Sequence, residues 1–131
     1  IIPQVSAAER TLWSIDDGTA TDRLRLYLDA AENGNFETVN SGDTDGASDG
    51  AAVIAVDTVF KLAGTYTDDS VIGYVDGTAS TEDTAAGIPV TDAATVSRFG
   101  DDSAAGTPFD GYLQKAKGYN VVKPAAFVAA L

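Results

Sequence analysis

The spacing of apolar residues along the chain predicts strands more often than helices. In residues 23–28 (RLRLYL) the leucines alternate with other residues, which is the period of a strand that buries one face. The same stretch also fits a helix, because Thr21 or Asp22 could cap its start and Asn33-Gly34 could end it. We favour the strand.

The apolar centre of the chain predicts the core. Residues 51–63 and 71–75 are rich in β-branched and aromatic side chains, and residues 64–70 between them have the composition of a hairpin loop. Residues 40–50 and 76–87 contain no large apolar side chain, which predicts surface loops. The predicted core comprises Val53, Ile54, Val56, Val59, Phe60, Leu62, Val71, Ile72 and Val75.

Two short helices are predicted in the last third of the chain. A capping threonine at position 91 and a glycine at position 100 predict a helix over residues 92–99. Residues 108–117 are the stronger case. A threonine precedes them, proline occupies the first helical position, and lysines lie in the last turn, where the helix dipole favours positive charge. This second helix is expected to pack on one side of the strands.

These elements predict one domain with a mainly β fold. A chain of 131 residues buries roughly two thirds of its unfolded surface, which is enough for one compact core. The expected architecture is a β-sandwich or a barrel-like core with one or two short helices and extended apolar termini. Residues 1–12 form an N-terminal arm, residues 13–123 form the β-rich core that includes the helix 108–117, and residues 124–131 form a C-terminal apolar tail.

The ionisable residues exclude many kinds of chemistry. The chain has 20 acidic and eight basic residues, a formal net charge of -12, and no His, Cys or Met. Without His or Cys there is no histidine-activated nucleophile, no thiolate and no common zinc or haem site. The negative charge disfavours nucleic acid and anionic lipid, and no segment has the roughly 18 to 20 consecutive apolar residues of a membrane span. We predict a protein that is not an enzyme and has no cofactor, nucleic-acid or membrane partner.

Three aspartates in residues 40–50 come nearest to a metal site. Asp43, Asp45 and Asp49 offer the hard oxygen ligands that calcium takes. The spacing departs from an EF-hand, because Gly46 falls at the fourth loop position instead of the sixth and no Glu closes the loop. We favour a solvated loop and predict no metal site, with calcium as the alternative.

Paired carboxylates and aromatic side chains are two further candidates. Aspartate doublets could serve as acid and base in a glycosidase-like site, which needs carboxylates roughly 5 to 10 Å apart, but each doublet lies among turn residues. The Trp and Tyr side chains could form a carbohydrate platform, but most lie in or beside predicted elements and fit core or boundary positions. The doublets are Asp16-Asp17, Asp68-Asp69 and Asp101-Asp102, and the aromatic residues are Trp13, Tyr27, Tyr66, Tyr74, Tyr112 and Tyr119.

Both ends of the chain carry large apolar side chains, whereas termini are normally polar and frayed. They either fold back onto their own core or dock on neighbouring subunits, and we expect docking because soluble monomers avoid exposed apolar patches. A chain that begins with Ile1 and has no Met indicates an omitted initiator or removal of an upstream segment by a protease. The predicted subunit interface comprises Ile1, Ile2, Val5, Trp13, Phe127, Val128 and Leu131.

Residues 50–77 (GAAVIAVDTVFKLAGTYTDDSVIGYVDG), in a cysteine-free chain rich in Ala, Thr, Gly and Asp, resemble the β-cores of tailed-phage virion proteins. The likeness is strongest to the small head-decoration or cement proteins. It implies a structural protein on the capsid surface that stabilises the shell, forms homo-oligomers and contacts the major capsid protein or other virion subunits. The alternatives are a tail-tube or head-closure protein, a secreted acidic β-module such as a filament subunit or adhesin, and a small hydrolase that uses an Asp pair.

Overall fold

The molecule is built from two antiparallel sheets of unequal size. It is a computed structural model that describes residues 1–3, 7–41, 43–48, 52–87, 95–101, 108–119, 121 and 123–130. Within these ranges the elements are β1 (Arg10–Asp16), β2 (Arg23–Leu28), β3 (Gly34–Asn40), β4 (Asp43–Ser48), β5 (Leu62–Thr67), β6 (Ser70–Val75), β7 (Thr78–Ala79), β8 (Val96–Phe99) and α1 (Ala125–Ala129).

The strand order sets which parts of the sheets cover each other. The larger sheet has the order β4-β3-β2-β1-β8 and the smaller one the order β5-β6-β7. Strands β5 and β6 pack against β2, β3 and β4, so the smaller sheet covers one half of the larger one. The two sheets form a β-sandwich, and the prediction of a mainly β fold of this type is confirmed.

The sandwich is held together by two clusters of buried apolar side chains. One lies near Phe36, where the sheets are so close that a side-chain carbon at Gly64 would overlap the phenyl ring. The other brings the N-terminus into the core through Ile2, which is fully buried. Since β1 also begins at Arg10, the N-terminal arm is shorter than predicted. The clusters are Leu24, Phe36, Val71 and Ala86, and Ile2, Leu12, Leu28, Ile54 and Val75.

Only part of the predicted core is buried. Ile54, Val71 and Val75 are core residues, and Phe60 and Leu62 pack partly against them. Val56 and Ile72 are half-buried. The prediction is wrong for Val53 and Val59, which are 68% and 65% exposed.

The reason is the local backbone of residues 52–61, which form no strand. The Thr58 hydroxyl donates to the carbonyl oxygens of Ala55 and Val56, and Asp57 adopts φ 57°. These contacts make a turn just before Val59 and leave the Val59 side chain in solvent. Val53 lies before this turn and forms an antiparallel bridge with Asn33, and its side chain is exposed there.

The predicted helix 108–117 is absent. The described part of this segment, residues 108–119, has no regular secondary structure and runs beside the N-terminus. Its backbone groups bond to other segments: Phe109 N donates to the Gly100 carbonyl, and Tyr112 N donates to the Ile1 carbonyl. These long-range bonds replace the bonds between residues four apart that a helix needs. The short helix that does form is α1, within the predicted tail.

Two further predictions are corrected by strand pairing. Residues 96–99, predicted as helix, form β8 and pair with β1; residues 92–94 lie outside the described part. Residues 43–48, predicted as loop, form β4, and a two-residue strand lies within 76–87. Strand β4 lies at the edge of the larger sheet, where its backbone pairs on one side only. Such a strand can form from a segment that has few large apolar residues.

The strand interpretation of residues 23–28 is confirmed, because β2 pairs with a neighbour on each side. The hairpin between β5 and β6 is also present, but its loop is shorter than predicted. Strand β5 continues to Thr67, and the turn is made by Asp68 and Asp69, the latter with φ 60°.

Candidate functional site

The half of the larger sheet that the smaller sheet leaves uncovered forms the floor of a groove of about 1590 Å³. Register places Trp13 opposite Leu26 on one side and Phe99 on the other, so the three side chains lie on the same face. Ile15 lies on this face as well, opposite Leu24. Described residues of the C-terminal segment, from 109 to 130, form another wall of the groove.

Aromatic side chains dominate the lining. The chain has one Trp, five Tyr and five Phe, and all of them line this groove except Tyr27 and Tyr74. Several are open to solvent: Tyr112 is 75% exposed and Phe99 is 57% exposed. The aromatic residues of the groove are Trp13, Phe36, Phe60, Tyr66, Phe99, Phe109, Tyr112, Tyr119 and Phe127.

Three contacts hold aromatic rings of the groove in place. The indole Nε1 of Trp13 donates a hydrogen bond of 3.0 Å to Ser97 Oγ, across the β1–β8 pair. Tyr119 and Phe127 pack edge to face with ring centroids 5.6 Å apart, and the Lys123 ammonium lies 4.9 Å from the Tyr119 centroid. Rings fixed in this way present an ordered surface to a ligand.

The groove is also where the lysines are. All four lysines of the chain, Lys61, Lys115, Lys117 and Lys123, line it, whereas no described lining residue is Asp or Glu. In the described part of the chain none of these ammonium groups forms an ion pair with a carboxylate. The groove is therefore locally cationic in a chain whose net charge is -12.

The opposite face of the same strands carries arginines that are paired with carboxylates. Residues of β2 alternate between faces, so Arg23 and Arg25 point away from the groove. Glu37 Oε1 accepts from Arg23 Nη2 at 2.9 Å and from Arg25 Nε at 2.5 Å. At the next strands, Arg98 Nε donates to Asp16 Oδ2 at 3.1 Å. On this face the pairs join β2 to β3 and β1 to β8.

Burial and charge shift the titration of this face. Burial lowers the pKa of Arg25, but the hydrogen bond and the negative charge of Glu37 outweigh it and raise the pKa overall. Burial, aided by the Glu37 charge, raises the pKa of Tyr27 to about 12. The Arg25 guanidinium also stacks 3.9 Å from the centroid of the Tyr27 ring. This cluster is an internally satisfied structural network.

The remaining arginine, Arg10, is also paired with a carboxylate. Arg10 at the start of β1 forms a buried ion pair with Glu32, which adopts φ 66° in the loop between β2 and β3. Asp29 shapes the same loop: burial raises its pKa, but hydrogen bonds from Asn33 and from the Ala31 backbone lower it overall. The loop geometry is thus fixed by its own polar groups.

None of the described aspartates of the predicted doublets lines the groove. Asp16 is buried against Arg98, while Asp17 accepts from Thr19 in an exposed turn, and the Thr19 hydroxyl bond lowers the pKa of Asp17. Asp68 and Asp69 form the β5–β6 turn. Asp102 lies outside the described residues.

The predicted calcium loop falls on strand β4, and the side chains of Asp43 and Asp45, together with Asp49, lie outside what the structure describes. Among the described residues no group of three His, Cys, Asp or Glu side chains could hold a metal ion.

The predicted interface residues are dispersed. Ile2 and Val128 are buried within the chain, as the alternative of termini folding back onto their own core requires. Ile1 is 36% exposed and its ammonium donates to the Tyr112 carbonyl. Trp13, Phe127 and Val128 line the groove together with Ile1. Val5 and Leu131 lie outside the described residues.

The sequence reasoning missed the lysines and Phe99, and it assigned most of the Trp and Tyr residues to core or boundary positions. That assignment holds for Tyr74, which is buried, but Tyr66, Tyr112 and Tyr119 are exposed in the groove. A usable signal was present in residues 115–127, where three lysines lie close to Tyr119 and Phe127 in a chain whose ionisable residues are mostly acidic.

The sequence matches a laminin G-type family model, described as the concanavalin A-like lectin/glucanases superfamily, over residues 2–129. Because the match spans nearly the full chain, the chain belongs to this superfamily. The description names both lectins and glucanases, so membership includes binding proteins and enzymes. In the described part of the chain no helix is long and apolar enough to cross a membrane.

A solved structure with a similar fold is that of an S-layer domain-containing protein (residues 221–444) from Clostridium thermocellum. The TM-score is 0.51 and the sequence identity is 14%, and the similarity covers 99% of this chain but only 65% of that one. This likeness concerns the fold alone. No curated protein matches the sequence at a significant level. Neither match concerns phage proteins, so the virion resemblance stays a prediction.

Proposed function

We propose that this chain is a non-catalytic carbohydrate-binding module and that the groove is its sugar site. The observation that carries the proposal is a groove with five exposed aromatic side chains, Tyr66, Phe99, Tyr112, Tyr119 and Phe127, and no carboxylate among its described lining residues. Apolar faces of sugar rings pack on aromatic side chains, and the hydroxyl groups at the ring edges bond to nearby polar groups such as Thr65, Ser97 and Gln114.

The same lining argues against a glucanase. Glycoside hydrolysis generally uses two carboxyl groups on either side of the scissile bond, about 5 to 9.5 Å apart. The buried carboxylates of the larger sheet, Asp16 and Glu37, are held by arginines on the face away from the groove. Membership of a superfamily that includes lectins therefore supports binding without hydrolysis.

A binding module of this kind fits a protein that is located at a cell or particle surface. The likeness to the S-layer domain-containing protein concerns the fold alone, so the extracellular location is a proposal that rests on the proposed binding function. The structural role on a virion inferred from the sequence is a second proposal, favoured by one observation. Phe99, Tyr112 and Phe127 are exposed apolar side chains that a neighbouring subunit could cover.

Affinity electrophoresis against a panel of neutral and acidic polysaccharides tests the sugar site. The intact chain should be retarded by at least one polysaccharide. Phe99→Ala and Tyr112→Ala should each weaken that binding roughly threefold to tenfold, as expected when one aromatic contact of about 0.5 to 1.5 kcal/mol is lost.

Val53→Ala is the matched control, because Val53 is an exposed apolar residue outside the groove. It should bind like the intact chain. Binding that is unchanged in Phe99→Ala and Tyr112→Ala would place the sugar elsewhere, and polysaccharide hydrolysis by the intact chain would refute the non-catalytic assignment.

A further inference from the structure

The distribution of positive charge defines the ligand of the groove more closely. We propose that the groove recognises an acidic polysaccharide, a chain whose sugar units carry carboxylate or sulfate groups, through Lys61, Lys115, Lys117 and Lys123. This inference rests on the proposed function and adds the charge of the ligand to it.

The two kinds of cation, arginine and lysine, lie in different surroundings. The chain has eight basic residues against 20 acidic ones, so a cation has many carboxylates available as partners. The four arginines each pair with a carboxylate, as the bonds of Arg10, Arg23, Arg25 and Arg98 show. The four lysines instead lie along one groove where no described lining residue offers a carboxylate. The Asp76 carboxylate lies beside Lys61 but accepts from its backbone N–H, at 2.8 Å.

The charge of the groove differs in sign from the net charge of the chain. A chain with a net charge of -12 repels an anionic polymer at long range, and this repulsion is screened beyond about 8 Å at physiological ionic strength. At contact distance the lysines of the groove attract anions. Charges of one sign that line a cleft with apolar walls focus the local field, so four ammonium groups there select an anionic ligand over a neutral one.

The lysines reach the groove from two parts of the chain and lie beside aromatic rings. Lys61 precedes β5, whereas the other three lysines belong to the C-terminal segment, so ammonium groups reach the groove from two separate parts of the chain. Lys115 and Lys117 are exposed, and Lys123 is positioned over the rings of Tyr119 and Phe127. In an acidic polysaccharide, apolar sugar faces and anionic groups recur along the chain. The sugar faces can pack on the aromatic rings, and the flexible lysine side chains can bring their ammonium groups to the anionic groups.

The test compares polymers that differ in charge. Polygalacturonate is compared with its fully methyl-esterified form, and dextran sulfate with dextran, by isothermal titration calorimetry. We expect at least tenfold tighter binding to one or both anionic polymers than to the neutral partner, with affinity that falls as NaCl is raised. Preference for only one of the two anionic polymers identifies the carboxylate or the sulfate as the group recognised.

The decisive variant is Lys115→Gln/Lys117→Gln/Lys123→Gln. Its matched control is Thr67→Glu/Thr81→Glu/Thr84→Glu, which lowers the net charge by the same three units at exposed positions outside the groove. The lysine variant should lose at least tenfold in affinity for the anionic polymer, and the control should lose less than threefold. Thermal unfolding by circular dichroism verifies that both variants are folded.

The outcomes separate the two proposals. If neutral polymers bind as tightly as anionic ones and the lysine variant binds normally, the charge preference is wrong while carbohydrate binding stands. If no polysaccharide binds, the proposed function itself fails. If poly-L-glutamate binds as tightly as polygalacturonate, the groove recognises an acidic polypeptide, and the assignment to a polysaccharide is overturned.

Discussion

Positive charges lie on both sides of the larger sheet, and the two sides use them in opposite ways. On one face Arg23 and Arg25 share the carboxylate of Glu37, and all three side chains are largely buried. On the other face the groove is lined by lysines that have no described carboxylate partner. The same strands β1, β2 and β8 contribute to both faces, because their side chains alternate.

The difference shows how one sheet can separate structure from recognition. A guanidinium fork that is bound by a buried carboxylate is fully used within the fold, and it adds geometric order to four strands. An ammonium group that remains solvated costs the fold little and stays available to a ligand. We therefore expect variants of the arginine face to change stability and variants of the lysine groove to change binding.

Glu37→Ala should have the largest effect on stability. It leaves the guanidinium groups of Arg23 and Arg25 without the carboxylate that they share, and removing one member of a buried ion pair costs about 3 to 5 kcal/mol. Urea unfolding followed by Trp13 fluorescence measures the loss in the free energy of unfolding.

Glu9→Ala is the control for this prediction. Glu9 also pairs with Arg25, at 3.0 Å, but its side chain is 44% exposed, so its removal should cost less than about 1 kcal/mol. Equal losses in Glu37→Ala and Glu9→Ala would show that the buried network does not stabilise the fold, and the contrast between the two faces would fail.

The sequence predicts the fold class because alternation is a local property. Leu24 and Leu28 repeat at the strand period, and their strand is present with both leucines buried. The helix at 108–117 was predicted from equally local signals, but its backbone bonds to Ile1 and Gly100. Those contacts join residues that are distant in sequence, so no local sequence pattern predicts them.

The site was harder to predict than the fold. The groove exists because the smaller sheet covers only half of the larger one. No local sequence pattern predicts how far one sheet covers another. Trp13 and Phe99 become neighbours through the β1–β8 pairing, across 86 positions of sequence. The sequence could show only that three of the four lysines cluster toward the C-terminus beside aromatic residues.

Tyr27→Phe tests the buried arginine face through the pH dependence of the free energy of unfolding. Burial and then the Glu37 charge raise the pKa of Tyr27 to about 12, above its unfolded value of about 10. A group whose folded pKa is raised contributes stability that is fully present below pH 10 and is lost as the pH rises through 12. The free energy of unfolding should therefore fall less steeply between pH 10 and 12 in Tyr27→Phe than in the intact chain. Identical alkaline slopes would contradict the assignment of Tyr27 to the buried arginine face.

Lys115→Gln/Lys117→Gln should have the smallest effect on stability. Both side chains are exposed in the groove wall, and surface substitutions of this kind usually change the free energy of unfolding by less than about 0.5 kcal/mol. Urea unfolding of the double variant, beside Glu37→Ala, gives the contrast directly. A loss above about 2 kcal/mol in the double variant would mean that the lysines support the fold. The groove would then be a structural surface like the arginine face, because its cations would be required by the protein itself instead of by a ligand.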